Sequence, residues 1–265
     1  MPFALSIAGS DPTGGAGLQA DLQVFHAHGV HGGAVVSALT VQDGRKVHQV
    51  LPVFPSVVLS QLRTLVQRIR PDAVKIGMLG TDDVARSVAL GLHALAGVPG
   101  GPPPIVVDPV LFASDGTPLL ERRGWPALLD LCRGAALVTP NLHEAEALTG
   151  CGATSAAGSE EAATALIAEH GAQAVLLKGG HRDGAPDDLL AWREGGGVAR
   201  RWLRGERVAG GGAHGTGCAL SAAVTARLAS GDDLVRAVEV ARAFVAEALR
   251  RAVERAPGAR FLVYP

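Results

Sequence analysis

The chain has 265 residues, of which 48% are hydrophobic and 18% are charged, enough for a sizeable core in one large α/β domain or two small ones. Its 24 Lys and Arg residues balance 25 Asp and Glu residues, which argues against a basic nucleic-acid-binding surface. The start of the chain has no basic, apolar leader, and no apolar run reaches the length of a membrane span. Its 3 cysteines form no Cys-x-x-Cys pair, so a reducing, cytoplasmic setting is predicted.

Short apolar runs alternate with longer amphipathic runs, in the order that is typical of βαβ units. The predicted strands are Phe3–Ala8, Ala34–Thr40, Ala73–Met78, Ile105–Val110, Ala136–Thr139 and Ala174–Lys178. The predicted helices are Gly17–His28, Ser56–Arg68, Asp82–Leu95, Asn141–Leu148, Ser159–His170, Cys218–Ala229 and Asp233–Arg255. Because the strands are almost continuously apolar, they predict a mainly parallel sheet with helices on both faces, which is a three-layer αβα fold.

The stretch Ala38–Val53, hereafter the flap, departs from this alternation. It reads as a strand, a turn at Asp43-Gly44 and a second strand, which predicts a small β-hairpin. The Gly/Pro-rich segment Gly97–Pro104 is interpreted as a loop and not as a domain linker, so residues 1–265 are predicted to form a single domain. Ligands of parallel α/β sheets bind beyond the carboxyl ends of the strands, and motifs that directly follow a strand therefore carry the most weight.

The first glycine loop, Ala8–Gly17, follows the first predicted strand and opens a helix. It matches a dinucleotide-binding fingerprint only weakly, because the loop is long and no acid ends the second strand to hold a ribose. The chain has no Gly-Lys dipeptide, which excludes a Walker A loop. The glycines still allow the backbone to approach a ligand closely. Asp21, one turn into the helix, is either a ligand-facing acid or a solvated one.

The second glycine loop, Gly210–Cys218, leads directly into a predicted helix and is the strongest chemical signal in the sequence. Unpaired N–H groups and the positive end of the helix dipole would form an anion site there. Cys218 lies at this helix N-terminus, where the pKa of a thiol is expected to be lowered, so it could act as a general base toward a hydroxyl. The alternative is a glycine turn with a buried structural cysteine.

Polar residues also follow three other predicted strands. Asp108 ends one strand, and Asn141 and Glu144 begin the helix after another, where carboxylates could organise Mg²⁺. Glu144 is equally suited to cap that helix. Lys178 follows a further strand and could meet phosphate oxygens as a point charge, or could be a surface lysine.

Several segments occur in the order found in one family of kinases. They are Ile7–Asp21, Lys75–Leu79, Val107–Val110, Thr139–Asn141 with Glu144, Lys178–His181 and Gly215–Cys218. This succession resembles the hydroxymethylpyrimidine/phosphomethylpyrimidine kinases of thiamine biosynthesis, within the ribokinase-like superfamily, and the likeness extends from about residue 5 to about residue 250.

The resemblance implies ATP- and Mg²⁺-dependent phosphorylation of 4-amino-5-hydroxymethyl-2-methylpyrimidine and then of its monophosphate, by a cytoplasmic homodimer. The residues implied for the pyrimidine site are Gly9, Asp21, Gln42 and Met78. Those implied for the nucleotide and Mg²⁺ are Lys178, Asp108, Asn141 and Glu144. The anion hole and base implied by the family are Gly215, Thr216, Gly217 and Cys218. Transfer itself would depend on positioning and charge neutralisation.

The sequence is also compatible with three functions other than a pyrimidine kinase. A pyridoxal kinase on the same scaffold is the nearest one, since some pyridoxal kinases share the cysteine. A nicotinamide-dependent oxidoreductase would use the first glycine loop. A non-catalytic ligand-binding relative is the third, because Gly212-Ala213 stand before His214 where the family has Asn-Thr, and this change is expected to loosen the loop. Further departures from the family are Asp43 in place of Asn and a tail at Ala256–Pro265 that lacks the usual Gly/His-Gly-Pro ending.

Overall fold

The computed structural model describes residues 1–96, 101–180, 182 and 184–265. Part of the predicted loop Gly97–Pro104 and His181 of the lysine motif lie outside the described residues. The strands are β1 (Phe3–Ser10), β2 (His31–Gln42), β3 (Val47–Pro52), β4 (Ala73–Ile76), β5 (Ile105–Val107), β6 (Leu137–Val138), β7 (Ala174–Leu177), β8 (Asp188–Glu194), β9 (Gly197–Leu203), β10 (Val253–Ala256) and β11 (Ala259–Phe261). The helices are α1 (Gly17–Ala27), α2 (Pro55–Val66), α3 (Asp82–Ala96), α4 (Trp125–Cys132), α5 (Leu142–Thr149), α6 (Ala156–Ala168), α7 (Thr216–Ala229) and α8 (Leu234–Arg250). None of the helices in this described part is long and apolar enough to cross a bilayer.

A nine-stranded sheet in the order β3-β2-β1-β4-β5-β6-β7-β8-β9 runs through the middle of the molecule. Neighbouring strands are parallel from β2 across to β7, and antiparallel at the two edges, where β3 pairs with β2 and the β8–β9 hairpin extends β7. The central strands are buried and rich in Val, Ile and Leu, as expected for strands covered on both faces. The predicted mainly parallel sheet is therefore confirmed.

Helices cover both faces of this sheet and form two separate hydrophobic clusters. Leu62 of α2 and Leu128 of α4 belong to one cluster, which also takes side chains from α3, α5 and α6. Phe25 of α1, Val224 of α7 and Val238 of α8 belong to the cluster on the opposite face. The three-layer αβα architecture predicted from the alternation of elements is confirmed.

The flap forms as the sequence predicts, with β2 antiparallel to β3 and Ala38 opposite Pro52. Asp43 holds the turn, since its Oδ1 atom accepts the backbone N–H groups of Arg45 and Lys46 at 2.9 Å each. The pairing shifts register at the end of β2, between residues 41 and 42, as in a β-bulge. A bulge re-aims the side chain that follows it, and Gln42 lines the cavity described below.

The C-terminal region differs from its prediction. The helix expected over Asp233–Arg255 ends at Arg250, and the chain then forms the hairpin of β10 and β11. The apolar face that predicted the helix ends at Ala248, the last buried residue of α8. Gly258 supplies the turn between the two strands with a φ of +74°, in the left-handed region that glycine adopts without strain. Helix α4 and the hairpin of β8 and β9 were also not predicted.

Candidate active site

A cavity of about 1350 Å³ opens at the carboxyl ends of the parallel strands. Both glycine loops, the flap and the starts of α5 and α7 contribute to its lining. The sequence-predicted site residues that line it are Gly9, Gln42, Met78, Asp108, Asn141, Glu144, Lys178, Gly215, Thr216, Gly217 and Cys218. The structure thus brings together residues that are spread over more than 200 positions of the sequence.

The second glycine loop ends in an anion-binding helix terminus. Gly215 caps α7 with a φ of +79°, and a Cβ atom there would lie 1.8 Å from the carbonyl oxygen of Gly15, so only glycine fits. The first N–H of α7 to bond within the helix is that of Ala219, which donates to Gly215 O at 2.9 Å. The N–H groups of the three residues before it point out of the helix, where an anion can accept them.

Lys178 lies against this terminus and is paired with Asp108. Its Nζ atom is 2.9 Å from Asp108 Oδ1 and would be only 3.1 Å from a Cβ on Gly217. The side chain of Lys178 is 15% exposed, so the surface-lysine alternative is wrong. Burial would lower the pKa of Lys178, but the carboxylates of Asp108 and Glu144 outweigh burial and raise it, and the lysine stays charged.

Asp108 is buried and has several hydrogen-bond donors around it. Its carboxylate accepts the hydroxyls of Thr139 at 3.1 Å and Ser221 at 3.0 Å, in addition to the ammonium of Lys178. Burial would raise the pKa of Asp108, but Lys178 and Lys75 outweigh it, so the pKa lies below its ordinary value. The negative charge of Asp108 is therefore retained.

Asn141 and Glu144 form a capping box at the start of α5, as the capping alternative predicts. Glu144 Oε2 accepts the Asn141 N–H at 2.8 Å, and Asn141 Oδ1 accepts the Glu144 N–H at 2.9 Å. Burial raises the pKa of Glu144 to about 7, with the charge of Lys178 lowering it and that of Asp108 raising it. Glu144 thus caps the helix and also offers the cavity a carboxyl group that titrates near neutral pH.

The donor set fits a magnesium ion that is held mainly by phosphates and water. Asp108 and Glu144 are two carboxyl groups on one cavity wall. Within the described ranges, no group of three or more His, Cys, Asp and Glu side chains could hold a metal ion by itself. Mg²⁺ is commonly bound through one or two carboxylates together with substrate phosphates and water, so this sparse set is suitable.

Asp21 does not line the cavity, contrary to the expectation that it contacts the substrate ring. It has no exposed surface, and its two carboxylate oxygens accept the ammonium of Lys75 and the hydroxyl of Ser6, both at 2.6 Å. The solvated-acid alternative is wrong for the same reason. Asp21 lies behind the wall, where it positions Lys75, which has no exposed surface and lies directly beneath the cavity lining.

Lys75 is the main site residue that sequence reasoning did not assign to the site. Burial would lower its pKa, but Asp21, Cys218 and Asp108 outweigh burial and raise it, so Lys75 is positively charged. The sequence signal that could have identified Lys75 is a single cation among the apolar residues of β4. All four residues of this strand are fully buried. A lysine in such a run needs a buried acidic partner.

Cys218 lies at the start of α7 as predicted, but the direction of its pKa shift was predicted wrongly. Burial and the carboxylates of Asp108 and Asp21 raise the pKa of the thiol. Lys75 and a hydrogen bond from the Gly17 N–H lower it, but by less. The helix N-terminus does not compensate for burial and the two acids, and Cys218 is therefore a neutral thiol at neutral pH.

The two glycine loops are joined by a hydrogen bond between His214 and Asp11 that was also not predicted. His214 Nε2 lies 2.7 Å from Asp11 Oδ2, and Asp11 also accepts hydrogen bonds from Thr13. Burial would raise the pKa of Asp11, but the bonds from His214 and Thr13 outweigh it and lower the pKa. Asp11 therefore stays ionised and holds the loops together.

Gly9, Gln42 and Met78 form another part of the cavity wall. A Cβ on Gly9 would lie 2.8 Å from Met78 Sδ, so the thioether packs directly on the backbone. Gln42 Nε2 donates to Thr40 Oγ1 at 2.6 Å, which orients the amide. A small aromatic ring could stack on the apolar part of this wall, and the amide can hydrogen-bond to ring nitrogens or a ring amine.

Comparison with known proteins agrees with this geometry. The family model described as phosphomethylpyrimidine kinase matches residues 11–261. The hydroxymethylpyrimidine/phosphomethylpyrimidine kinase of Rhizobium meliloti is 41% identical over 255 residues, covering 94% of this chain and 91% of that protein. Among solved structures, a phosphomethylpyrimidine kinase of Clostridium difficile superposes with a TM-score of 0.81 at 32% identity, over 94% of this chain and 99% of that one. An ADP complex of Bacillus subtilis pyridoxal kinase superposes with a TM-score of 0.87 at 31% identity, over 100% and 97%.

The raised pKa of Glu144 gives a prediction about stability. Between pH 4.5, its ordinary pKa, and about 7, the folded chain holds a proton that the unfolded chain has lost. The free energy of unfolding of the wild type should therefore fall as pH rises through this window, relative to Glu144→Gln, which keeps the capping box. Urea unfolding at a series of pH values measures the difference. Glu146→Gln, on the exposed side of α5, is the control, and parallel pH curves for wild type and Glu144→Gln would contradict the assignment.

Proposed function

The chain belongs to the phosphomethylpyrimidine kinase family, and from this we propose that it phosphorylates 4-amino-5-hydroxymethyl-2-methylpyrimidine with ATP and then converts the monophosphate to the diphosphate for thiamine diphosphate synthesis. The family and kinase predictions made from the sequence are confirmed. The observation that carries the proposal is one cavity that is lined both by an anion-binding helix terminus with Lys178, here called the phosphate end, and by the wall of Gln42 and Met78.

The phosphate end is built to hold a transferring phosphoryl group. The N–H groups at the start of α7 are oriented by the backbone of Gly215, which packs closely against the carbonyl of Gly15. Lys178 adds a positive charge beside them, and its pairing with Asp108 fixes the ammonium in place. Donors that are oriented in advance stabilise charge on the transferring group without a cost of reorganisation during the reaction.

We propose ATP and Mg²⁺ as the cofactors, with Lys178, Asp108 and Asn141 at the nucleotide and Glu144 and Asp108 at the metal. The support is the donor set of the cavity wall and the ADP bound in the structure of Bacillus subtilis pyridoxal kinase. Mg²⁺ would neutralise charge on the phosphates. Glu144 would be ionised by the approach of a cation, because a nearby positive charge lowers the pKa of a carboxyl group.

Cys218 is proposed as the base that accepts the hydroxymethyl proton. It lines the cavity at the first turn of α7, next to the proposed phosphoryl site. Its raised pKa means that only a small fraction is thiolate at neutral pH, while the thiolate that forms is a strong base. Proton transfer should therefore become faster as pH rises.

We also propose that the chain acts as a cytoplasmic homodimer of single-domain subunits, each spanning residues 1–265. Free cysteines, Cys132, Cys151 and Cys218, support a reducing compartment. The dimer is supported by an apolar face on β2, β3 and α2, made of Leu39, Val41, Leu51, Phe54 and Val57, which are 49%, 47%, 43%, 78% and 46% exposed. Contiguous exposed apolar residues of this kind mark protein–protein contacts.

The function is tested by offering the purified protein ATP and Mg²⁺ with hydroxymethylpyrimidine or pyridoxal in parallel, and resolving the products by mass. We expect the mono- and diphosphorylated pyrimidine as products. We expect pyridoxal to be phosphorylated no faster than the pyrimidine. Pyridoxal phosphate as the sole product would instead assign the chain to the pyridoxal kinases. Ligand binding without any product would favour a non-catalytic relative.

Cys218→Ala should lower kcat by roughly 10²–10⁴-fold, the usual contribution of a general base, with the dissociation constant of the pyrimidine nearly unchanged. In the wild type, kcat/KM should still be rising at about pH 8.5, the pKa of an ordinary thiol, and Cys218→Ala should remove this dependence. Cys151→Ala is the control, since Cys151 lies outside the cavity. Equal kcat values for wild type and Cys218→Ala would exclude Cys218 as the base.

The dimer is tested by sedimentation equilibrium. We expect twice the mass of one chain for the wild type and a monomer for Phe54→Glu, because a charge within an apolar interface is costly to bury. Leu90→Glu is the matched control, since Leu90 is 48% exposed on α3, outside the proposed face. A monomeric wild type would refute the proposal.

A further inference from the structure

The C-terminal hairpin packs against the active site and extends the second glycine loop. His214 N donates to Arg260 O at 2.9 Å, and His214 forms a parallel β-bridge with Phe261. Strand β11 is held in turn by β10, with Arg260 opposite Glu254. The backbone beside His214 therefore has its conformation set by a strand that lies almost 50 residues later in the chain.

The side chain of Arg260 fixes the rest of this loop. Its Nη1 atom donates to Gly211 O at 2.9 Å and lies 3.5 Å from Ala209 O, while Nη2 donates to Leu249 O at 3.1 Å. The guanidinium thus joins the loop to the C-terminal turn of α8, where a positive charge is also favoured by the helix dipole. Lysine, which has a single ammonium on a flexible stem, cannot reproduce this fork.

The ring of Phe261 lies where three segments of the site meet. A Cβ on Gly15 of the first glycine loop would be 2.7 Å from Phe261 Cδ1, and a Cβ on Gly44 of the flap would be 2.6 Å from Phe261 Cζ. On its third side, the ring meets that of His214 edge-on, at 6.0 Å between centroids and 85° between planes. The ring thus contacts the flap and both glycine loops at once.

We propose that β11 is a positioning strand of the active site, in which Arg260 fixes the second glycine loop and Phe261 fixes the flap against both glycine loops. This inference rests on the proposed kinase function and adds a structural determinant to it. Arg260 contacts the second glycine loop and α8 and also lines the cavity, so it should act mainly on nucleotide binding. Phe261 contacts the flap that carries Gln42, so it should act mainly on the acceptor.

The expected result is a split between the two substrates. Arg260→Ala should raise the KM for ATP about tenfold, an effect in the range of a lost charged hydrogen bond, with the KM for the pyrimidine changed less than about twofold. Phe261→Ala should show the opposite pattern, because an unanchored flap must be ordered by the acceptor itself. Arg260→Lys should resemble Arg260→Ala, whereas Phe261→Leu should recover most of the acceptor affinity. Steady-state kinetics with each substrate varied in turn measure the split.

Arg255→Ala is the matched control, since Arg255 lies on the same hairpin, is exposed and does not line the cavity. Calorimetric titration with ADP and Mg²⁺ reads the effect of Arg260 without any turnover, so a wild type that binds ADP but forms no product would fail the proposed function and still test this inference. Thermal melting identifies variants that do not fold, for which Arg260→Lys and Phe261→Leu provide the comparison. Unchanged KM values in Arg260→Ala and Phe261→Ala would overturn the proposal. So would an equal rise of the KM for ATP and the KM for the pyrimidine in these two variants and in Arg255→Ala.

Discussion

An ion pair without any exposed surface, between Asp21 and Lys75, supports the base of the active-site cavity. Removing two charges from water is expensive, and close contact with additional hydrogen bonds is needed to offset that cost. The pair meets both conditions, with a separation of 2.6 Å and a second hydrogen bond from Ser6. Losing one partner of such a pair typically costs about 3–5 kcal/mol, because the other charge is left buried. Since Asp21 lies in α1 and Lys75 in β4, the pair also fixes the first glycine loop, which precedes α1, against the strand ends.

The charge of Lys75 also affects the pKa values of other groups in the site. Lys75 lowers the pKa values of both Asp108 and Cys218, while Asp108 raises those of Glu144 and Cys218. The protonation states of these groups therefore depend on one another and on the charge of any ligand. A polyphosphate alone would favour the protonated acid and thiol, and a divalent cation would favour their ionised forms. A nucleotide that arrives with its metal changes the local charge less than either does alone, which suits a site that holds a carboxyl group with a pKa of about 7 and a protonated thiol.

The parts of this arrangement that depend on local sequence were predictable. Apolar runs between amphipathic helices predict the sheet, and glycines between a strand and a helix predict the two loops. The burial of Asp21 was not predictable. An acid on a helix is expected to be solvated, and its partner Lys75 lies 54 residues away in the sequence. The direction of the Cys218 pKa shift was predicted wrongly for a similar reason, since the burial of the thiol and the neighbouring acids Asp108 and Asp21 both result from the tertiary structure. The C-terminal hairpin was missed because β11 is bonded partly to an irregular loop, which leaves no periodic pattern in the sequence.

The hairpin of β10 and β11 also affects what is expected of Gly212-Ala213 in the second glycine loop. From the sequence, the loss of a polar side chain before His214 suggested a loosened loop, because glycine restricts the backbone least. In the structure, the loop is held by residues that are distant in the sequence, through the guanidinium of Arg260 and the backbone of β11. A loop that is held in place before the ligand binds loses less conformational entropy on binding, whichever residue holds it. The second glycine loop and the C-terminal hairpin therefore form one structural unit, in which the hairpin supplies the contacts that hold the loop.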